Sequence, residues 1–596
     1  MVYKVLNKLE SLNSRNKKNK FAVNKDLYRL ICDEQLLVIA YNTIKSKQGN
    51  MTPGPDNETL DGTSPLVIRE IIESLKNQTF EFKPVRRIFI PKGNTNKMRP
   101  LGIPSPKDKI VQKALLIIME RIYEPCFHDS SHGFRPGRSC HSALKQIRKY
   151  WSGMKWAVEG DIKGCYDNVN HHILINLLRK KIQDERFINL IWKLLRAGIV
   201  EDGQFRKTNI GTPQGGILSP LLANIYLNEL DTFIIDKLQL AINTNNKRSV
   251  DPEYNRLRSR IDWLKTRIKS KSLGSDKTLL KSLKKEQRLV PAAKAIDPLF
   301  KKIYYIRYAD DWIIGVIGNK ELANDIKLIV KEFLLSELKL ELSSEKTKIS
   351  HFPSGDIKFL GFNIKSGGQS EQSSSNLNKR TVGWQVRLFC PTDLIVDKLA
   401  NNNFSTKLGR GIRKKGWITY PDDIITTKYN YILRGLRNYY SPCDNYGTSF
   451  NRIQYILKYS WAHTLASKHR TSIATQLKRV NKLKLDIERP LTNNIWNFKP
   501  SETDPDKAFR SYSRRTILLT SDSCLICGKL SNLEMHHLRA LRKDGVNLED
   551  KYMRGMMQRM NRKQICVCRS CHMDIHYGRY DGTSLKILSA LKKGEN

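Results

Sequence analysis

One stretch of the sequence, 303-IYYIRYADDWIIGVIG-318, places two adjacent aspartates, Asp310 and Asp311, inside a run of apolar, β-branched and aromatic residues. Runs of this composition favour buried β-strands. An ionised carboxylate in a dry interior is costly unless a cation, a proton or solvent meets it. The pattern therefore predicts two strands joined by a tight turn at Ala309–Asp311, which brings both carboxylates to the edge of a sheet.

A second segment, 156-WAVEGDIKGCYDNVN-170, has the same character, because the apolar run Trp156–Val158 is followed by Asp161. Two or three clustered carboxylates repel one another. Mg²⁺ relieves that repulsion and also binds phosphate oxygens. Together the two segments predict metal-assisted phosphoryl chemistry.

The size and charge of the chain indicate its class of partner. Its 596 residues are too many for one core and suggest three to five domains, at roughly 100–200 residues each. There are 104 Lys and Arg against 58 Asp and Glu, so 104 − 58 gives a formal charge of +46. An excess of this size predicts a polyanionic partner, most simply a nucleic acid.

Neither a run of about 18 apolar residues nor an N-terminal apolar h-region is found in the sequence. We therefore expect a soluble protein that is not secreted and has no membrane partner. A bacterial cytoplasm and an organelle matrix (mitochondrion or plastid) both fit this expectation.

Metal-ligand spacing marks the C-terminal end of the chain, in 524-CLIC-527, 534-EMHH-537 and 568-CRSCHMDIH-576. Each CxxC pair can give two thiolates to one tetrahedral Zn²⁺, which predicts Cys524, Cys527, Cys568 and Cys571 as ligands. Cys566 is an extra thiol that could substitute for one of them. His572 and His576 are four residues apart on a predicted helix, so both could bind one further metal.

Five segments carry a resemblance to a known family: those around Asp161 and Asp310, 211-GTPQGGILSPLLANIYL-227, 97-KMRPLGIPSPKDKIVQKAL-115 and 132-HGFRPGRSCHSAL-144. The first four resemble the ordered blocks of reverse transcriptases. The last narrows the resemblance to the group II intron type, a group of proteins encoded inside the introns that they serve.

The resemblance implies roles for the acidic residues. Asp161 and Asp310 would coordinate two Mg²⁺ ions, one at the primer 3′-oxygen and one at the triphosphate, with Asp311 in support. The backbone carbonyl of Ile162 could also face a metal. Tyr166 falls where the family keeps an aromatic ring that blocks a 2′-hydroxyl, which would select deoxynucleotides.

It also implies residues that bind the nucleotide. Lys92 and Arg99 would neutralise triphosphate charge, and Arg offers bidentate phosphate binding. Gln214 and Gly215 would lie beside the incoming nucleotide and the template. Lys346 and Lys348 are both candidates for a further cation near the triphosphate, and the spacing does not choose between them.

A second block, 429-YNYILRGLRNYYSP-442, resembles the maturase or X region of the same family. Interleaved charge and rings would suit phosphate contacts and stacking on unpaired bases. A helix that buries Tyr and Leu while exposing Arg is the alternative. The residues predicted to bind RNA are Arg434, Arg437, Tyr439 and Tyr440.

The C-terminal module resembles an HNH endonuclease. The resemblance implies His537 as the general base, assisted by Glu534, with His536, His572 and His576 on a divalent ion at the scissile phosphate. The middle Asn of the family pattern is displaced here, since Lys563 stands at its expected spacing and Asn561 lies two residues away. A DNA-binding zinc module without nuclease activity is the alternative.

We therefore predict an α+β chain with a right-hand polymerase (fingers and palm), an α-helical thumb/maturase domain and a small zinc-containing HNH (ββα-metal) domain. The predicted partners are the host group II intron RNA, double-stranded target DNA and deoxynucleoside triphosphates. A splicing-only maturase, and a retron-like polymerase without an intron, are the alternatives. The predicted regions are 1–80 (an extension of the fingers), 81–365 (fingers and palm, with a basic insertion at 246–294), 380–490 (thumb and maturase), 491–520 (a DNA-binding linker) and 521–596 (HNH).

Overall fold

The computed structural model describes residues 2–45, 49, 52–60, 63–91, 98–208, 210–212, 215–243, 248–270, 274–290, 292–294, 297, 299–352, 357–366, 386–479, 523–530, 533–537, 564–585, 587 and 588. Of the predicted regions, the linker 491–520 lies outside these residues.

The described helices are α1 (Val2–Lys18), α2 (Tyr28–Ile31), α3 (Glu34–Ile44), α4 (Pro65–Lys76), α5 (Pro106–Tyr123), α6 (Cys140–Tyr150), α7 (His171–Arg179), α8 (Glu185–Arg196), α9 (Ser219–Thr232), α10 (Gln239–Ile242), α11 (Pro252–Ser270), α12 (Gly274–Gln287), α13 (Lys320–Glu337), α14 (Thr392–Asn401), α15 (Asp422–Tyr440), α16 (Tyr446–His469), α17 (Ile473–Lys478) and α18 (Arg569–His576). The described strands are β1 (Val85–Pro91), β2 (Met98–Ile103), β3 (Trp156–Asp161), β4 (Ile199–Glu201), β5 (Gln204–Arg206), β6 (Lys302–Tyr308), β7 (Asp311–Ile317), β8 (Lys348–His351), β9 (Ile357–Phe359), β10 (Phe362–Ser366), β11 (Val386–Phe389), β12 (Leu533–His537) and β13 (Gln564–Cys568).

The central sheet has the strand order β6-β7-β3-β8, and all its pairings are antiparallel. Alternate side chains of a strand point to opposite faces, and β7 follows this rule. Trp312, Ile314 and Val316 enter one core, whereas Ile313 and Ile317 enter another. Because both faces are covered, the sheet is a rigid base for the residues at its edge.

The two cores divide the chain. The first joins α1–α5 and α7–α9 to one face of the central sheet. The second joins α6 and the opposite face to β9–β11, α15 and α16. Helices α14–α16 therefore share a core with the central sheet.

Two further sheets complete the larger part of the fold. The order β2-β1-β4-β5 is mixed, since β1 and β4 run parallel, and it follows the N-terminal helices. The order β11-β10-β9 lies where the chain leaves the central sheet for α14–α17. Serine caps begin several helices: Ser64 accepts from the Val67 amide at α4, and Ser105 accepts from the Asp108 amide at α5.

The basic insertion forms a helical hairpin of α11 and α12. Helices α11 and α12 pack through a small core of their own, formed by Leu257, Ile261, Leu264 and Leu283. At the base of the hairpin, the Asp297 carboxylate accepts hydrogen bonds from the Ser249 amide (2.7 Å) and hydroxyl (2.6 Å). The hairpin leaves the body next to β6, at the end of that strand farther from the Ala309–Asp310 turn.

At the C-terminal end, β12 and β13 pair antiparallel and α18 follows at once. Leu533, Ile565 and Val567 form a small core with three cysteines. No helix in the described part of the chain is long and apolar enough to cross a membrane.

Candidate active site and metal clusters

Asp161, Asp310 and Asp311 meet at one edge of the central sheet. Asp161 is the last residue of β3 and pairs directly with Asp311, the first residue of β7. Tyr308 also pairs with Asp311, so the turn between β6 and β7 consists of Ala309 and Asp310. The predicted hairpin is confirmed, with the turn one residue shorter than expected.

The crowding of the three carboxylates shows in the pKa values of Asp310 and Asp311. Reduced hydration and the neighbouring charges of Asp310 and Asp161 raise the pKa of Asp311 to about 6, although its side chain is solvent-accessible. Burial and the charge of Asp161 also raise the pKa of Asp310. Groups that resist ionisation together are the ones that a divalent cation stabilises. The donor set therefore fits Mg²⁺.

Two lysines were candidates for a cation near this cluster, and the structure separates them. The Lys346 ammonium lies 2.6 Å from Asp161 Oδ2, and this hydrogen bond raises the pKa of the lysine. Lys348 lies 3.5 Å from Glu159, which belongs to the same strand as Asp161. Lys346 is thus the lysine that faces the carboxylates.

Ile162 follows Asp161 directly and is buried. Its bridge to Leu342 uses the carbonyl of Asp161, which accepts from the Ser343 amide (2.9 Å), and the amide of Lys163, which donates to Glu341 (2.9 Å). The carbonyl of Ile162 takes no part in this pair of bonds. Such an arrangement is compatible with the predicted metal contact.

A buried arginine, Arg307, anchors the turn between β6 and β7. No sequence pattern predicted this role. Arg307 is completely buried and pairs with the buried Asp231, at 2.7 Å from Oδ1 and 2.6 Å from Oδ2. The same guanidinium donates to the carbonyl of Ala309 (2.8 Å), to Asn224 Oδ1 (3.0 Å) and to Ser131 Oγ (2.9 Å). The bond to the Ala309 carbonyl fixes the backbone from which Asp310 projects, and the other bonds fix the guanidinium.

The segment 130–133 runs beside the same turn. The His132 amide donates to the carbonyl of Arg307 (2.9 Å), and Asn224 Nδ2 donates to the carbonyl of Gly133 (2.8 Å). A Cβ at Gly133 would stand 2.3 Å from the Ala309 nitrogen, so only glycine allows this approach. The first two residues of the motif 132-HGFRPGRSCHSAL-144 therefore support the acidic turn.

Tyr166 is half-buried next to the acidic cluster, and its carbonyl accepts from the Thr212 amide (2.7 Å). This bond ties the backbone of Tyr166 to the Gly-rich loop that contains Gly215. At Gly215, φ is +105°, and a Cβ would lie 2.4 Å from the carbonyl of Gly102. The loop thus packs directly against β2.

Arg99 lies exposed on β2 opposite Ile90, and its charge acts on both Tyr166 and Asp310. The charge of Arg99 therefore reaches the carboxylate cluster. Lys92 and Gln214, the other predicted nucleotide contacts, lie outside the described residues.

The four residues predicted to bind RNA on α15 do not share one environment. Arg434 is exposed. Arg437 and Tyr440 are buried, and the Arg437 guanidinium lies 5.1 Å from the centre of the Phe450 ring. Tyr439 donates its hydroxyl proton to the carbonyl of Leu360 (2.7 Å). The rings of Tyr439 and Tyr440 pack on the Phe362 ring, with ring centres 5.3 Å and 5.2 Å apart, which favours the alternative of a helix that buries its tyrosines. RNA binding by these residues stays a prediction.

Two possible metal sites lie side by side in the C-terminal module. Cys524, Cys527, Cys568 and Cys571 bring their sulfur atoms within 4.8 Å of one another. His536, His572 and His576 form a second group with the same spread of ligand atoms. The thiol group is the one that the CxxC spacing predicts, with Cys568 rather than Cys566, and the histidine group is the one that the HNH resemblance implies. The side chains of His537 and Glu534 lie outside the described part of the chain.

The comparisons with known proteins agree with this geometry. The reverse transcriptase (RNA-dependent DNA polymerase) family matches residues 90–247, and the type II intron maturase family matches residues 385–515. The group II intron-encoded protein LtrA of Lactococcus lactis subsp. cremoris is 37% identical over 598 residues, which cover 95% of this chain and 98% of LtrA. The chain belongs to the family of group II intron-encoded proteins.

Other relatives of this intron protein come from yeasts. The putative COX1/OXI3 intron 2 protein of Saccharomyces cerevisiae is 34% identical, over 97% of this chain and 69% of its own length. The uncharacterized 91 kDa protein in the cob intron of Schizosaccharomyces pombe is 37% identical, over 96% and 72%. Asp161 and Tyr166 of the intron protein lie in its reverse transcriptase region, and α15 lies in its maturase region.

Proposed function

We propose that this group II intron protein copies RNA into DNA at the centre formed by Asp161, Asp310 and Asp311. The convergence of these three carboxylates beside Lys346 carries the proposal. Mg²⁺ bound there would lower the pKa of the primer 3′-hydroxyl and offset the negative charge of the triphosphate. Asp161 and Asp310, with the Ile162 carbonyl, would hold the ions, and Asp311 would support them.

The surrounding residues would position the nucleotide. Arg99, with Lys92, would bind triphosphate oxygens, and Lys346 would exchange its contact with Asp161 for one with phosphate. Gly215 and Gln214 would border the nascent base pair. In this proposal, each cationic side chain near the carboxylates binds phosphate oxygens of the substrate.

Selection of the sugar tests this proposal, because Tyr166 would exclude a 2′-hydroxyl by its volume alone. On an RNA template, wild-type protein should extend a DNA primer with deoxynucleotides. Tyr166→Ala should raise ribonucleotide incorporation, relative to deoxynucleotide incorporation, by about tenfold or more, the scale of a steric contact in a pocket. Tyr166→Phe, which keeps the ring, is the matched control and should behave like wild type. Equal sugar preference in all three proteins would contradict this role.

Splicing assistance is the second activity of the proposal. The host intron RNA would be held in its active fold by exposed basic residues, among them Arg434 on α15. The α11–α12 hairpin adds cations on a separate part of the surface. The match of residues 385–515 to type II intron maturases supports this reading.

The C-terminal module would act as an HNH endonuclease on double-stranded target DNA. The thiol group would hold a structural Zn²⁺, and the three histidines would hold a divalent ion at the scissile phosphate, with His537 as general base. Cutting of the second DNA strand would supply a primer for intron mobility, and the linker 491–520 would bind that DNA.

A splicing-only maturase remains the alternative, and the predicted location in a bacterial cytoplasm or organelle matrix remains a prediction. The complete acidic cluster favours the polymerase, since a protein that only binds RNA has no need of three converging carboxylates.

A further inference from the structure

The last two residues of α15 join three distant parts of the chain. Tyr439 donates its hydroxyl proton to the carbonyl of Leu360 (2.7 Å), and its own carbonyl lies 2.7 Å from His141 Nε2. The Phe362 ring packs against both tyrosines, with ring centres 5.3 Å and 5.2 Å apart. Helix α15 is thereby fastened to α6 and to the turn between β9 and β10.

That turn is unusual in its backbone. Leu360 and Gly361 both have positive φ, of 49° and 72°, and Gly361 faces the rings of Tyr439 and Tyr440. A leucine in the left-handed region is strained, so the surrounding contacts must hold it there. The hydrogen bond from Tyr439 to the Leu360 carbonyl is one such contact.

The same junction reaches the catalytic hairpin. Tyr308, the residue before the Ala309–Asp310 turn, packs against the same core as Tyr439 and Phe362. At the neighbouring end of α15, the Asp444 carboxylate accepts from the Leu388 amide (2.8 Å) and from Arg148 (3.0 Å). Helix α15 and the residues after it are therefore fastened to α6 and to β9–β11, which share a core with one face of the sheet that carries the carboxylates.

We propose that Tyr439 is a positioning residue for polymerisation, fixing the thumb helix α15 against the palm through the Leu360 turn. This inference rests on the proposed polymerase function. In a right-hand polymerase the primer–template duplex lies between palm and thumb, so a thumb that shifts by even an ångström misplaces the primer end. The aromatic pair of the maturase block thus serves the polymerase.

The test compares Tyr439→Phe with Tyr431→Phe. Both substitutions remove only a hydroxyl from α15, but Tyr431 is 45% exposed, and its ring contact with Arg434 survives in phenylalanine. Four quantities are measured on the full-length protein: nucleotides added per binding event, KM for primer–template, rate of the first addition at saturation, and affinity for the intron RNA. The thermal midpoint checks that each variant is folded.

Tyr439→Phe should raise KM for primer–template and shorten the products of one binding event about three- to tenfold, the effect of one net hydrogen bond. The saturated rate of first addition, the RNA affinity and the thermal midpoint should stay within twofold or a few degrees of wild type. Tyr431→Phe should match wild type throughout.

Two results would overturn the inference: wild-type processivity in Tyr439→Phe, or a loss of RNA affinity with normal processivity, which would return Tyr439 to the RNA surface. If the wild-type protein extends no primer, the proposed polymerase function is itself wrong. That result is seen before any variant is compared.

Discussion

At the scale of single residues, the environment of Arg307 determines where Asp310 points. Burial alone would lower the pKa of Arg307, but its contacts with Asp231 outweigh that effect and the pKa is raised. The side chain is therefore a permanent cation inside the core, and its planar fork serves Asp231, Asn224 and the Ala309 carbonyl at once. A buried pair of this kind is valuable mainly for the geometry that it specifies.

Arg307→Lys tests this role, because lysine keeps the charge but cannot form the fork. We expect primer extension to fall by about a hundredfold in folded protein, the scale of an ångström displacement at a catalytic group. Tyr305→Phe is the control, since it removes one hydrogen bond to Asp231 (2.8 Å) without touching the turn. It should retain most of the activity. Near-normal extension by a folded Arg307→Lys protein would show that the turn keeps its conformation without the hydrogen bonds of Arg307.

At the scale of elements, the short unit β13–α18 carries two ligands of each metal cluster in nine residues of chain. Cys568 ends β13 and precedes the first turn of α18, where Cys571 joins it. His572 and His576 follow on the same helix, with their Nε2 atoms 3.1 Å apart. Because the helix turns about 100° per residue, Cys571 and His572 can serve different ions.

Zinc content and DNA cleavage should therefore separate in this module. Cys571→Ser removes a thiolate and should lower both bound zinc and cleavage of the target DNA. His576→Ala should leave zinc near wild type and reduce cleavage by about a hundredfold or more, as expected for a lost metal ligand in a catalytic site. Zinc is measured by atomic emission, and cleavage by nicking of a labelled duplex. Equal zinc loss in both variants would show that the cysteines and histidines form one metal site rather than two.

Several elements could be predicted from sequence because their signals are local. The apolar run with two acids predicted the β6–β7 hairpin, and the two CxxC pairs predicted the thiol group. The pairing of Arg307 with Asp231 spans 76 residues and leaves no local pattern. The orientation of α15 was equally hidden, since a helix rich in Arg and Tyr can bury either type. Lys346 and Lys348 differed only once the register of β8 with β3 placed Lys348 opposite Glu159.

At the scale of the whole molecule, the charge of +46 is spread over parts with separate cores. The α11–α12 hairpin lies away from the acidic turn, whereas Arg99 and Lys346 face it. A single RNA could therefore contact the protein both beside the acidic turn and on the α11–α12 hairpin. Contacts of that extent should depend on the release of many counterions.

Affinity for the host intron RNA should fall steeply with salt. If about 6–10 phosphates are neutralised, the dissociation constant should rise about 10³- to 10⁵-fold between 50 and 200 mM monovalent salt. Filter binding across that range measures the slope of log affinity against log salt. A slope near zero would contradict an extended phosphate interface.

The most direct test of the central claim is primer extension on an RNA template with Mg²⁺ and deoxynucleotides. Wild-type protein is compared with the double variant Asp310→Ala plus Asp311→Ala, and intron RNA binding is measured for both as the control for folding. If the carboxylates hold catalytic metal, the double variant should bind RNA normally and extend no primer. Extension by the double variant at the wild-type rate, or by neither protein while both bind RNA, would contradict the assignment of the catalytic centre to this turn.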